Sequence, residues 1–206
     1  MIGVLIPTRQ RRGLYVATVS NLTTTAGRSD TWRAYGRADD DDRETYAGIA
    51  SVTFGPRHGY PAIFRYFNEL AEQAFADGCR WVLLWNDDMR FTERGWDEAL
   101  LAIDTDRPRV VDFPGDVSPA VNLGYWQATG RISNQTHCDT WVQFVGDMAG
   151  IRSHLWHKVA HIRDEVRDAI TYETQAVYDL SSPEFFSSIT QSEIADDACK
   201  VKEANR

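Results

Sequence analysis

The chain has 206 residues, 43% hydrophobic and 12% aromatic, which is enough to bury one core and excludes global disorder. Its formal net charge of −8 excludes nucleic-acid binding driven by overall charge, because that needs clustered Lys and Arg. No apolar run approaches the ~20 residues that cross a bilayer, and Cys79, Cys138 and Cys199 have no zinc-ligand spacing.

The first residues lack the basic lead of a secretory signal, so the expectation is a cytoplasmic protein with no membrane span. Residues 3–7 read as a short continuous apolar strand covered on both faces, closed by Pro7. Residues 14–22 read as a helix. Residues 32–35 predict a second strand that runs toward the acidic stretch 39–42, and 50–54 predict a third. The Gly- and Pro-rich stretch 55–61 is a loop. Residues 61–77 are the clearest helix, because Ile63, Phe64, Phe67, Leu70, Ala71, Ala74 and Phe75 form one apolar stripe. Residues 81–85 predict a buried strand that delivers Asn86-Asp87-Asp88 at its end. A short helix follows Gly95 over 96–103, and 110–113 and 141–145 predict further strands. Leu155, Val159, Ile162, Val166 and Ile170 are spaced as an amphipathic helix. The tail after 187 is polar and expected to fray. Strands alternating with helices predict an α/β fold: a mostly parallel central sheet with helices on both faces.

In such folds ligands sit outside the carboxyl ends of the strands. Three polar clusters fall there: Thr8 and Arg9, the aspartates 39–42, and Asn86-Asp87-Asp88. Carboxylates at an exposed strand end suit a hard divalent cation, which takes oxygen ligands from one or two carboxylates and from substrate phosphates. A plain polar turn is the other reading of the same residues. The run 39–42 reads equally as a solvated acidic loop or as a carboxylate that orients a base or ribose. Arg9 and Arg57 lie in loops near strand ends, where a guanidinium fork matches diphosphate oxygens. Arg11 and Arg12 read as ordinary surface arginines. His154 and His157 are three apart and either share a helix face or stand as ordinary surface residues, the latter being preferred. There is no Gly-Lys-Ser/Thr phosphate loop, no GxGxxG and no GxSxG, so the kinase, dinucleotide-dehydrogenase and serine-hydrolase readings lack their signatures.

Taken together, these segments resemble glycosyltransferases of the GT-A fold, of the family 2-like, compact bacteriophage or bacterial type. Residues 2–9 resemble the opening strand, ending in Pro7, Thr8 and Arg9. The acidic run, with Asp39 and Asp41, resembles the aspartates after the second strand. Arg57 and the helix bearing Asn68 resemble the segment that follows. Residues 81–88 resemble the metal motif, usually Asp-x-Asp, here in the form Asn86-Asp87-Asp88. Residues 91–96 fit the continuation to a Gly-Trp. Residues 144–150 look like the Gly-rich loop near the donor sugar, and 163–165 with 171–173 like the approach to a Glu-Asp motif that supplies the base. Here the chain departs from the pattern: beside Glu173 stand Tyr172 and Thr174, and no His follows His161.

The resemblance implies one GT-A-like domain, with a nucleotide-sugar-binding half over 1–105, an acceptor and catalytic half over 106–187 and the polar tail 188–206. It implies transfer of a sugar from a nucleoside-diphosphate sugar to an acceptor hydroxyl, with inversion and with Mn2+ or Mg2+ as cofactor. Asp88 and Asn86 would hold the metal. Pro7, Thr8, Arg9, Asp39, Asp41, Arg57, Asn68 and Asp87 would bind the donor, and Glu173 would act as base. The chain's compactness is similar to that of bacteriophage enzymes that glycosylate modified DNA bases, so a modified base joins glycans and other hydroxyls as acceptor. A nucleotidyltransferase and a catalytically degenerate nucleotide-sugar-binding protein are the alternatives.

Overall fold

The computed structural model describes residues 1–115, 118–162, 185 and 187–206. Among them, seven strands form one sheet in the order β3-β2-β1-β4-β7-β6-β8. β1 (Ile2–Pro7) is central, flanked by β2 (Trp32–Asp39) and β4 (Trp81–Leu84), with β3 (Val52–Gly55) outside β2; all four run parallel. β7 (Ser118–Asn122) is antiparallel to both β4 and β6 (Val110–Phe113), and β8 (Arg152–His154) pairs parallel with β6. A separate two-stranded ribbon joins β5 (Met89–Phe91) to β9 (Val159–His161).

The continuous apolar run of β1 is explained by its place: Ile2, Val4, Leu5 and Ile6 are fully buried because helices cover both faces. On one face lie α2 (Ile63–Ala76), α4 (Leu123–Thr129), α5 (Cys138–Ala149) and α6 (Ser188–Ala204). Their core includes Leu5, Leu70, Val82, Val121, Trp141 and Val201. On the other lie α1 (Arg12–Thr25) and α3 (Trp96–Leu101), over Ile6, Trp81, Leu83, Trp85, Phe91 and Trp96. This is the α/β, GT-A-like architecture expected from the sequence. Among the described residues, no helix is long and apolar enough to cross a membrane.

Three expectations are corrected. Residues 141–145 lie within helix α5, not in a strand. The stretch, Trp-Val-Gln-Phe-Val, is a short apolar run that alone does not tell strand from helix. Over the full helix the buried set is Cys138, Trp141, Val142, Val145, Gly146 and Ala149, which is a helical stripe. The Gly-rich segment 144–150 is therefore the end of α5. A Cβ on Gly146 would stand 3.0 Å from Val110 Cβ, so this glycine lets the helix approach the sheet, and Gly150 caps the helix at φ 70°. Second, the helix expected from Leu155 onward does not form within the described part. Residues 155–158 connect β8 to β9, so His154 and His157 share no helix face; residues 163–170 lie outside the described residues. His154 is exposed, whereas His157 is buried with Nε2 3.1 Å from the Arg94 carbonyl. Third, the polar tail is helix α6. Its buried stripe, Ile194, Asp197, Ala198 and Val201, packs against α5 and α4. Polarity misled here because a single buried carboxylate, Asp197, is paired by Arg131 at 2.9 and 3.1 Å.

Candidate functional site

The order of the sheet sets the site. The chain leaves β1 through α1 toward β2 on one side and returns through α2 to β4 on the other. The carboxyl ends of β1 and β4 therefore part around a crevice, the place where open α/β sheets bind ligands. Thr8, just past β1, spans this crevice by donating its hydroxyl to Asp87 Oδ2 at 2.7 Å.

Thr8 belongs to a longer chain of hydrogen bonds. The Arg11 backbone N–H donates to the Tyr46 hydroxyl at 3.0 Å, and that hydroxyl lies 2.7 Å from Thr8 Oγ1. Because Thr8 already donates to Asp87, the Tyr46 proton points at Thr8. Burial pushes the Tyr46 phenol up to about 12. Gln10 takes a left-handed backbone conformation, φ 53°, and its N–H donates to Asp42 Oδ2 at 2.6 Å. This kink places Arg9 and Arg11 on different carboxylates.

Arg9 meets the end of β2. Its Nη1 lies 2.5 Å from Asp39 Oδ2, and its Nη2 lies 3.5 Å from Asp41. The Tyr66 hydroxyl donates to the other oxygen, Asp39 Oδ1, at 2.5 Å and accepts from the His58 N–H at 2.8 Å. Arg37 is buried under the same loop, with Nε on Glu69 at 2.8 Å, Nη2 on the Pro56 carbonyl at 3.2 Å and its cation over the Tyr66 ring. Asp39 is thus buried and fixed at both oxygens. Asp41 and Arg57 are exposed.

Asp87 and Asp88 follow β4 and are both buried. Helix α1 bolts the segment down: Thr18 donates to the Asp87 carbonyl at 2.7 Å, and the Asn21 amide pairs with the Phe91 backbone at 2.9 and 3.1 Å. Burial raises the Asp87 carboxyl to about 6, against the pull of the Thr8 hydrogen bond and of Arg11. The Arg11 guanidinium lies 3.4 Å from Asp87 Oδ1 and 3.8 Å from Asp88 Oδ2. Its side chain is only 9% exposed, so the expectation of a surface arginine is corrected. On Asp88 Oδ1 sits His161 Nε2 at 2.7 Å, delivered because β9 pairs with β5 in the register Met89 opposite His161.

Next to Asp87 and Asp88 in the chain, Asn86 lines a small open cleft together with Tyr60, Thr136 and Asp139. Its apolar lining includes Ile63, Phe67 and Trp85. Asp139 stands in the first turn of α5.

The crevice thus joins Thr8, Arg9, Asp39, Asp87 and Asp88, with Pro7 closing the strand that delivers Thr8 and Arg9, while Asn86 lines the adjoining cleft. Asn68 lies apart. Its amide donates to the Ser133 carbonyl at 2.8 Å and accepts from the Ile132 N–H at 2.7 Å, so it latches the 131–133 loop onto α2. Glu173 lies outside the described residues. Sequence reasoning missed Arg11, Tyr46, Tyr66, His161 and Asp139. For Asp139 the signal was present: an acid opening a helix whose apolar spacing runs from 138 to 149. For His161 there was none, because its partner is 73 positions away.

Among the described residues, no three His, Cys, Asp or Glu side chains converge as a metal site. Asp88 and His161 form a two-donor set. That suits a cation whose remaining ligands come from a substrate diphosphate and water.

No family model matches the chain, and no curated protein sequence matches it. Solved structures do. S. aureus TarS 1–349 matches with a TM-score of 0.59 at 11% identity, over 98% of this chain and 81% of that one. TarS 1–349 in complex with UDP-GlcNAc matches at a TM-score of 0.55 and 11% identity, over 94% and 70%. A longer TarS structure matches at 0.57 and 11% identity; the chain covers 44% of it, under half its length. At this identity the likeness is one of fold: the chain has the GT-A-type α/β fold of TarS.

Proposed function

We propose that this chain transfers a glycosyl group from a nucleoside-diphosphate sugar to an acceptor hydroxyl. One observation carries the reading. Asp39 with Arg9, and the acidic pair Asp87-Asp88 with Arg11, meet at one switch point, beside a cleft whose lining includes a further carboxylate, Asp139. The UDP and UDP-GlcNAc complexes of TarS lend support, since that protein shares the fold.

In this reading Asp39, held by Arg9 and Tyr66, accepts hydrogen bonds from the nucleoside. Arg11 and Arg57 neutralise the diphosphate. Asp88 and His161 would hold Mn2+ or Mg2+, which supplies Lewis-acid stabilisation of the leaving diphosphate. Asp139 takes the proton from the acceptor hydroxyl as its oxygen bonds to the anomeric carbon. The bond from that carbon to the diphosphate breaks, and the nucleoside diphosphate leaves. A single displacement of this kind inverts the anomeric centre. The cleft, with its mixed apolar and polar lining, is where the acceptor lies, whether glycan, modified DNA base or another hydroxyl.

The test is product formation from UDP-sugars against a panel of hydroxyl acceptors. Asp139→Asn is expected to lower kcat by at least ~100-fold, the usual worth of a general base, while UDP affinity stays within about two-fold. Glu173→Gln is the comparison. If it loses turnover and Asp139→Asn does not, the base is Glu173.

A further inference from the structure

Asp87 and Asp88 are consecutive, buried carboxylates, and two such charges without a counter-ion are costly. The guanidinium of Arg11 stands 3.4 Å from one and 3.8 Å from the other, with its side chain 9% exposed. Its position is built into the chain. The left-handed Gln10 turns the backbone, and the Arg11 N–H is held at 3.0 Å by the Tyr46 hydroxyl, itself bonded to Thr8. Asp88 thus presents one oxygen to His161 and the other to Arg11. A divalent cation approaching Asp88 meets a fixed positive charge a few ångströms away.

We propose that Arg11 is the resident countercation of the acidic pair. A divalent cation then reaches Asp88 only when a diphosphate draws the guanidinium onto its own oxygens. This rests on the reading of the crevice as a nucleoside-diphosphate site. A guanidinium fork fits phosphate oxygens at least as well as carboxylate oxygens, so the diphosphate offers Arg11 an equal partner. Moving Arg11 uncovers Asp88 at the moment that phosphate oxygens arrive to complete the cation's shell. Cation and nucleotide binding are then coupled, and the coupling is reciprocal. The device would keep the site from collecting metal before donor is present.

The test measures Mn2+ binding, by electron paramagnetic resonance of the free ion, with and without UDP. It compares the wild-type chain with Arg11→Gln and Arg11→Met; Met retains the apolar stem if Gln unfolds the loop. Removing one charge about 4 Å from the ligand oxygen is expected to tighten Mn2+ alone by roughly ten-fold or more. The same variants should bind UDP without metal more weakly, an opposite sign that a general loss of folding cannot produce. Arg11→Lys, which keeps the charge, should leave Mn2+ affinity near the wild-type value. Mn2+ affinity unchanged or weakened in the folded variants overturns the role of Arg11, even where Mn2+ with UDP binds the wild type normally. Absence of UDP binding to the wild type, with or without Mn2+, overturns the underlying reading of the site instead.

Discussion

Tyr46 shows how one hydroxyl organises the crevice. It accepts from the Arg11 backbone and donates toward Thr8, which in turn holds Asp87. In Tyr46→Phe the Arg11 N–H loses its acceptor inside a part-buried site, a loss of roughly 1–3 kcal/mol. Urea unfolding should show that loss, and UDP affinity should fall with it because the Arg11 guanidinium is no longer steered. No sequence pattern singled out Tyr46. It lies 38 positions from Thr8, and a tyrosine after an acidic run carries no local signal of its task. Asp39, Asp87 and Asp88 could be singled out as acids at strand ends, but their burial and their partners could not be read from the sequence.

The strands and helices around β1 were readable where local pattern and final environment agree. β1, β4 and α2 carry apolar runs or stripes that match their burial. Segments whose environment is set from afar were not. β7 and α4 were passed over, because Ser118, Pro119 and Asn122 look like loop residues. In the fold, Ser118 donates to the Leu84 carbonyl at 2.7 Å, and Asn122 caps α4 by accepting from the Tyr125 N–H at 3.1 Å. Helix α6 is the clearest case, since its attachment depends on the Arg131–Asp197 ion pair. Asp197 is fully buried and Lys200, its other partner at 3.0 Å, is half exposed. Arg131→Ala strips the main countercharge and should cost about 3–5 kcal/mol. Thermal unfolding reads the loss; Arg131→Ala with Asp197→Leu should recover much of it, because a buried pair is replaceable by apolar packing.

The whole molecule is a sheet that brings four loop ends to one edge, and the net charge of −8 is read differently in that light. Much of the acid at this edge is already matched: Asp39 by Arg9, Asp87 and Asp88 by Arg11, and Asp42 by the Gln10 N–H. The edge is therefore a lattice of fixed charges and not a repulsive patch, which is compatible with an anionic, phosphate-bearing ligand. The rule that ligands of open α/β sheets sit outside the carboxyl ends of the strands pointed to this edge from the sequence. It could not point to His161, which reaches Asp88 through the β5–β9 ribbon, or to Asp139, which reaches the adjoining cleft through α5. The most direct measurement is calorimetric titration of UDP into the wild-type chain and into Asp88→Asn, both in Mn2+. The expected result is saturable one-to-one binding by the wild type, at least ten-fold weaker in the variant, since every ten-fold is about 1.4 kcal/mol and loss of a cation ligand removes at least that. Absence of heat with UDP and with every other nucleoside diphosphate in the wild type would contradict the assignment of this crevice as a nucleotide-sugar site.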